Sequence, residues 1–241
     1  MIRKNIGVWG ESHKGYKRKS NEDRFLIKEM PGIIILAVAD GVGGNPHGGQ
    51  AAAIVIDSFR EYEFIGENLK KELSMALALA ERRIHHEVNK NPNLHGMGAT
   101  ATAVVLNNSN AFWIHVGDSR IYLLRDKKLK QITTDHTFIQ DFLNEGSLTP
   151  EQAKNHPLKN MLEQCVGCDE MQPDCGEIRI KNDDRLLLCS DGLTTHLSDL
   201  QIECMLNTKS TQEAGEELIR TALKSGGEDN VTVIVKDLSY Y

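Results

Sequence analysis

Apolar residues fall along the chain in short, nearly continuous runs bounded by polar turns, at Ile33–Ala39, Ala101–Leu106, Ala111–Val116, Arg120–Leu124, Glu177–Ile180, Arg185–Cys189 and Val231–Val235. Short runs rich in β-branched residues predict strands. Asn107–Asn110 separates two of them and Asp126–Lys128 ends another, turn chemistry that predicts hairpins and a largely antiparallel arrangement. Two longer segments, Gly49–Tyr62 and Glu67–Val88, follow a different rhythm. In the second, Leu69, Leu73, Leu77 and Ala80 recur at helical spacing, so both are expected to be amphipathic helices. A third helix is predicted over Thr211–Leu223, with Ala214, Leu218, Ile219 and Ala222 on one face and Gly226-Gly227 as its stop signal. Helices that do not alternate strictly with strands predict an α+β chain of packed sheets covered by helices, not a Rossmann-type parallel sheet.

Composition narrows this picture. At 241 residues, with 40% hydrophobic and 26% charged residues and no low-complexity linker, residues 1–241 are expected to form one domain around a substantial core. The longest apolar run, Ile33–Ala39, falls far short of the ~20 residues of a membrane span. The start of the chain lacks the apolar stretch of a signal peptide, so a cytoplasmic protein without membrane contact is expected. A net charge of −6 argues against nucleic acid as a partner. The five cysteines are expected to be thiols. Cys165 and Cys168, with Cys175, suggest part of a zinc site but lack a fourth ligand, and redox pairing of Cys165 with Cys168 is a side hypothesis.

The candidate chemistry lies at strand ends. The strand Ile33–Ala39 delivers Asp40, then Gly41 and a glycine-rich turn. Leu186–Cys189 delivers Ser190, Asp191 and Gly192 in the same way. Asp229 and Asn230 immediately precede the last strand, and Asp118 sits between two others. A single Asp-Gly after a strand is ordinarily a turn. Carboxylates converging from several strand ends would instead repel unless hard cations, which prefer oxygen donors, lie between them. Within Lys17-Arg18-Lys19-Ser20-Asn21-Glu22-Asp23, Arg18 can bind a phosphate bidentately and Glu22 and Asp23 can hold metal-bound waters, although isolated charges of this kind are commonly solvated surface.

Taken in order, Arg18-x-x-Asn21-Glu22-Asp23, Ala39-Asp40-Gly41-Val42-Gly43-Gly44, Met97-Gly98-Ala99-Thr100, Gly117-Asp118-Ser119-Arg120, Thr134-Asp135-His136, His156-Pro157, Ser190-Asp191-Gly192-Leu193 and Glu228-Asp229-Asn230-Val231-Thr232 resemble the PPM or PP2C-type metal-dependent protein phosphatases, particularly compact bacterial members. The resemblance implies a four-layer αββα sandwich, two mainly antiparallel sheets flanked by helices. It implies two Mg²⁺ or Mn²⁺ ions, with Asp40 bridging both, Gly41 offering its carbonyl, Asp191 and Asp229 completing one shell, and Glu22 and Asp23 acting through water. A third ion would use Asp118 and again Asp191. Arg18 matches the residue that binds substrate phosphate, and residues 138–165 match a flap beside the active site.

The activity implied is hydrolysis of phosphoserine and phosphothreonine on proteins by a metal-activated water, opposing a bacterial Ser/Thr kinase, with Asp40, Asp191 and Asp229 positioning that water and the enzyme acting as a monomer. Val42 stands where many eukaryotic members have a histidine proposed to protonate the leaving group; His47 is weighed as a substitute and read instead as a loop histidine, and His136 as support for the flap base. The His85-His86 pair faces two sides of a helix and is not expected to bind a metal. Cys189 is read as a core thiol, because no Cys-x5-Arg phosphate loop is present. The alternatives are a catalytically weak, phosphatase-like regulatory module, which the full ligand set disfavours, and a hydrolase of small phosphate esters.

Overall fold

A computed structural model describes residues 7–42, 47–154, 156–168, 171–208 and 210–238. The chain runs β1 (Val8–His13), β2 (Arg24–Met30), β3 (Ile33–Ala39), α1 (Gly48–Glu61), α2 (Leu69–Lys90), β4 (Ala101–Leu106), β5 (Asn110–Val116), β6 (Arg120–Arg125) and β7 (Lys128–Gln131). It continues through α3 (Phe138–Asn144), α4 (Pro150–Lys154), β8 (Asp174–Arg179), β9 (Arg185–Cys189), α5 (Asp191–Thr194), α6 (Asp199–Thr208), α7 (Thr211–Lys224) and β10 (Val231–Asp237). Two five-stranded sheets result, in the orders β1-β10-β9-β6-β7 and β2-β3-β4-β5-β8. Every pairing is antiparallel.

The unbroken apolar runs have a simple cause: the central strands are buried on both faces. In β3, Ile35, Ala37 and Ala39 pack under α1 and α2, while Leu36 and Val38 point to the opposite sheet. In β9 and β10, Leu187, Val233 and Val235 pack under α6 and α7, and Leu186, Leu188 and Ile234 fill the space between the sheets. Each such Leu, Ile or Val contributes roughly 1.5–3 kcal/mol by leaving water. The three apolar layers make the expected αββα sandwich.

The three long helices lie where periodicity places them, with ends set by capping. Helix α2 starts at Leu69 instead of Glu67 because the Asn68 side chain accepts from Lys71 N–H (3.1 Å), and Glu72 turns back to accept from the N–H groups of Ile65, Gly66 and Asn68. Helix α7 opens on a reciprocal capping box between Ser210 and Glu213. The periodicity does not predict β1, β2, β7 or the short helices α3 to α6, and β8 begins three residues before the predicted Glu177.

Residues between β7 and β8 leave the sheet and carry α3 and α4. This excursion is pinched at its neck, where Phe138 N–H donates to Met161 O (3.1 Å) and Glu163 N–H to His136 O (2.9 Å). Among the described residues no helix is long and apolar enough to cross a membrane.

Candidate active site

The C-terminal ends of β1, β3, β5 and β9 and the starts of β2, β4, β6 and β10 meet at one end of the sandwich, a consequence of the antiparallel registers. A cavity of about 450 Å³ opens there, walled by Arg18, Glu22, Asp40, Gly41, Asp118, Asp191 and Asp229 among others. Seven of the sequence-predicted site residues therefore share one cavity, and Asp23 lies just beneath it, buried.

Local structure holds the backbones of Asp40 and Asp191 and the carboxylates of Asp23 and Asp229. Asp40 caps β3: its N–H donates to Thr100 Oγ1 (2.9 Å), its carbonyl accepts from Thr100 N–H (2.8 Å), and Thr100 Oγ1 meets Ser119 Oγ (2.8 Å). Asp191 opens α5 directly after Ser190, which is tied to β10 by its N–H on Thr232 O (3.1 Å). The Asp23 Oδ2 atom accepts from Ser190 Oγ (2.7 Å) and Thr232 Oγ1 (2.6 Å). Asn230 joins the N-terminal loop to the last strand: its Oδ1 accepts from Glu22 N–H (2.8 Å), and its Nδ2 donates to Lys14 O (2.7 Å) and Ser20 O (3.0 Å). Arg18 Nη2 donates to Asp229 Oδ2 at 2.7 Å at the cavity rim.

The glycines that follow Asp40 and Asp191 have a packing reason. A Cβ on Gly41 would lie 2.3 Å from the Gly48 backbone, and one on Gly192 would lie 2.0 Å from the Asn230 carbonyl. Only glycine lets α1 and the β10 start approach this closely. Gly43 and Gly44, which complete the glycine-rich turn, lie outside the described residues.

Electrostatics sets these residues apart from ordinary surface acids. The Asp40 carboxyl is pushed well above the usual range, first by burial and then by the charges of Asp23, Asp191, Asp118 and Asp229. Asp118 is raised by burial and then by Asp191 and Asp135. Burial, with Asp229 and Asp23 nearby, pushes Asp191 up to about 6. Burial also raises Asp23, against the opposing hydrogen bonds from Thr232 and Ser190. Asp40 keeps partial access to water through this cavity, and Asp191 through it and through a neighbouring cavity of about 570 Å³.

The donor set fits hard divalent cations. Clustered carboxylates in a protein-walled site need positive charge between them to stay ionised. Oδ1 of Asp23 and Oδ1 of Asp191 are buried without a hydrogen-bond partner, which leaves oxygen lone pairs for such charge. Among the described residues no three His, Cys, Asp or Glu side chains are already drawn into a closed cage. Carboxylates spread around an open cavity suit ions that keep several of their waters.

The remaining candidates lie elsewhere. His47 does not line the cavity; its carbonyl starts α1, accepting from Gln50 and Ala51 N–H (both 3.0 Å). His85 and His86 are exposed on α2, with His85 paired to Glu81 (2.8 Å). His136 is buried at the neck of the excursion, 3.3 Å from Asp174. Cys189 is a buried thiol, raised by that burial to about 12. One expectation is corrected: Cys165 and Cys168 are joined in a disulfide, because a tight turn brings their Cα atoms to 5.3 Å, while Cys175, Cys189 and Cys204 are thiols. This pair lines the cavity together with Asn160, Met161 and Leu162; all but Cys168 fall in the segment 138–165 expected to lie beside the active site. The positioning roles of Thr100, Ser119, Ser190, Asn230 and Thr232 were not assigned by sequence reasoning, although four of these lie in quoted motifs that carry an acidic residue and Thr100 lies in a motif of its own.

Comparison with known proteins follows the same lines. The family model described as Protein phosphatase 2C matches residues 9–232. The chain is 38% identical over 232 residues to the serine/threonine protein phosphatase PstP of Mycobacterium tuberculosis, covering 95% of this chain but 44% of that relative, so it spans less than half its length. It is 32% identical to the protein phosphatase PhpP of Streptococcus pneumoniae, covering 93% of this chain and 94% of PhpP. The crystal structure of the PstP catalytic domain in complex with 2 manganese ions superposes with a TM-score of 0.88 at 36% identity, covering 96% of this chain and 98% of that one.

Proposed function

The chain belongs to the protein phosphatase 2C family, and on that premise we propose that it hydrolyses phosphoserine and phosphothreonine on proteins, using bound Mg²⁺ or Mn²⁺. The observation that carries this reading is that Asp40, Asp118 and Asp191, each raised first by burial and then by neighbouring carboxylates, face one cavity whose rim holds Arg18.

In this reading Asp40, the Gly41 carbonyl, Asp191 and Asp229 hold two ions, with Glu22 and Asp23 acting through water. Asp118, with Asp191, serves a third position. Bound there, divalent cations supply Lewis-acid stabilisation of phosphoryl oxygens and lower the pKa of water. The protein's own contribution is placement. Thr100 fixes the backbone of Asp40 and the start of α5 that of Asp191, so both carboxylates project from rigid element ends. Arg18 presents its guanidinium at the rim, where it can neutralise the phosphoryl group as charge builds. Residues 138–165 act as a flap that forms one wall and bears on the protein flanking the phosphorylated residue. The partner is a phosphoprotein made by a bacterial Ser/Thr kinase, and residues 1–241 act as a single, monomeric phosphatase domain.

Release of phosphate from a phosphothreonine peptide by metal-stripped protein, with and without Mn²⁺ and beside Asp191→Ala, tests this. Release that requires Mn²⁺ and is lost in the variant is expected. Folded, Mn²⁺-bound protein without turnover would replace this reading with that of a regulatory module.

A further inference from the structure

Nothing in the reaction just described uses Cys165 and Cys168, yet both line its cavity. They sit where the flap's return segment rejoins the body of the protein. Between them, Val166 forms an antiparallel bridge with Ala99: Val166 N–H donates to Ala99 O (2.9 Å) and Ala99 N–H to Val166 O (3.1 Å). Gly167 N–H donates to the Glu81 carboxylate of α2 (2.7 Å), and Cys168 N–H closes the turn on Cys165 O (3.3 Å).

This turn is one peptide away from the groups that hold Asp40. Cys165 Sγ packs on Gly98, where even a Cβ would come within 2.6 Å of it. The Gly98 carbonyl accepts from Val42 N–H (2.9 Å), Ala99 bridges Gly41, and Thr100 carries the two hydrogen bonds to Asp40. Cys165 is buried at 2% exposure, whereas Cys168 is only half-buried and open to the cavity. A buried sulfur bonded to an accessible one, three positions apart and closed by a turn, is an arrangement suited to thiol exchange.

We propose that Cys165 and Cys168 form a reversible thiol–disulfide site in the cavity wall, reduced by a dithiol, and that reduction loosens the flap from Ala99. The thiolate of an external dithiol attacks Cys168 Sγ; the Cys165–Cys168 bond breaks, and Cys165 leaves as a thiolate that takes a proton from water. The second thiol of the reductant then attacks the mixed disulfide, freeing Cys168 as a thiol and closing the reductant's own disulfide. Two electrons and two protons pass from the dithiol to the pair. Unbonded, the two sulfurs cannot remain in bonding contact, and Cys165 has no room to retreat past Gly98. The turn must therefore open on the Cys168 side, which weakens the Val166–Ala99 bridge.

That this change reaches phosphatase turnover rests on the function proposed above, so the test reads the site without activity first. The full chain is equilibrated with mixtures of reduced and oxidised dithiothreitol, alkylated, and analysed by peptide mass, while limited proteolysis follows cleavage within residues 138–164. Cys165 and Cys168 are expected to titrate together as one two-electron couple, with Cys175 and Cys204 alkylated throughout. Reduction is expected to increase flap cleavage several-fold, reversibly, and Cys165→Ser/Cys168→Ser protein should cleave at the fast rate under all conditions. A pair alkylated in every mixture, or a couple that titrates without changing flap cleavage, overturns the proposal. With a phosphothreonine peptide, KM should rise on reduction while kcat changes less. If phosphate release is absent in both redox states although cleavage responds, the phosphatase reading fails and the thiol site stands.

Discussion

Arg18 Nη2 and Asp229 Oδ2 stand 2.7 Å apart, joining positions separated by 211 residues across the mouth of the cavity. Both groups are partly exposed, at 45% and 32%, so the pair itself adds at most about 1 kcal/mol to stability. Its significance is positional: the guanidinium stands at the rim, already turned toward the carboxylates.

Arg18→Ala should therefore leave the melting temperature nearly unchanged and weaken phosphopeptide binding. A charge-assisted phosphate contact is worth roughly 1.5–3 kcal/mol, so KM is expected to rise about 10- to 100-fold with a smaller change in kcat. Steady-state kinetics on a phosphothreonine peptide, with thermal melts on the same preparation, check both halves. A large loss of stability with unchanged KM would remove Arg18 from the binding role.

That pair marks the limit of what the sequence discloses. Strands β3, β4 and β9 are legible because burial on both faces demands continuous apolar residues. Strands β1 and β7 are sheet edges, and β7 reads Lys-Leu-Lys-Gln, so neither carries that signal. Asp40, Asp118, Asp191 and Asp229 are legible as strand-end acids, but their convergence depends on which strands pair, and periodicity does not encode pairing. The hydroxyl groups of Ser190 and Thr232 on Asp23 are invisible for the same reason. The disulfide is a local fact that compartment statistics outweighed.

Burial and repulsion raise Asp191 to about 6, so its ionisation works against the metal-free fold. The sign follows directly: with the folded pKa above the unfolded value, the contribution of Asp191 to stability is most favourable at low pH and falls as pH rises from about 4 through about 6. Asp191→Asn should remove that fall and stabilise metal-free protein at neutral pH by at most about 3 kcal/mol, less whatever the open cavity screens. Mn²⁺ should stabilise the wild-type protein by about 2.7 kcal/mol at 100 times its Kd, and the Asp191→Asn variant much less. Urea unfolding with and without Mn²⁺ decides; equal stabilisation of both proteins would exclude Asp191 from the metal site.

His115, fully buried on β5, gives the opposite pH signature. Its Nε2–H donates to Thr134 O (3.1 Å), which leaves Nδ1 to accept from Thr102 Oγ1 (2.8 Å). Burial, and then the neighbouring His136, lower its pKa to about 3. A folded state that refuses a proton the unfolded chain accepts loses stability as pH falls below about 6.5, by about 2 kcal/mol between neutral pH and about pH 5. His115→Gln should cost about 1–3 kcal/mol at neutral pH through its imperfect hydrogen bonds, but should lack that acid-side loss. Comparing the two proteins at each pH cancels the contribution of the carboxylates, and parallel pH profiles would show that His115 is not the group responsible.

Lys236 tests the far end of the sandwich. It lies on the same face of β10 as Ile234, so its side chain points between the sheets, where it is buried at 2% exposure and donates to Asp237 O. It borders a mainly apolar cavity of about 240 Å³ lined by Ile33, Ile34, Leu106 and Ile180. Burial lowers its pKa to about 8, with Asp237 and Glu29 opposing the shift. Below about pH 8 the lysine is protonated in both folded and unfolded chains, so the cost of burying its charge is present in full. Between about pH 8 and about 10.5 the unfolded chain holds the proton more tightly, and the folded state gains stability as pH rises. Lys236→Met keeps the aliphatic stem and removes the charge. It should stabilise the protein at neutral pH by roughly 1–3 kcal/mol and abolish the alkaline gain, leaving phosphate release unchanged because the cavity carrying Asp40 lies at the opposite end. Urea midpoints at neutral pH and near pH 9.5 provide the check. Destabilisation by Lys236→Met would mean that the ammonium group contributes more to holding the sheets together than its burial costs.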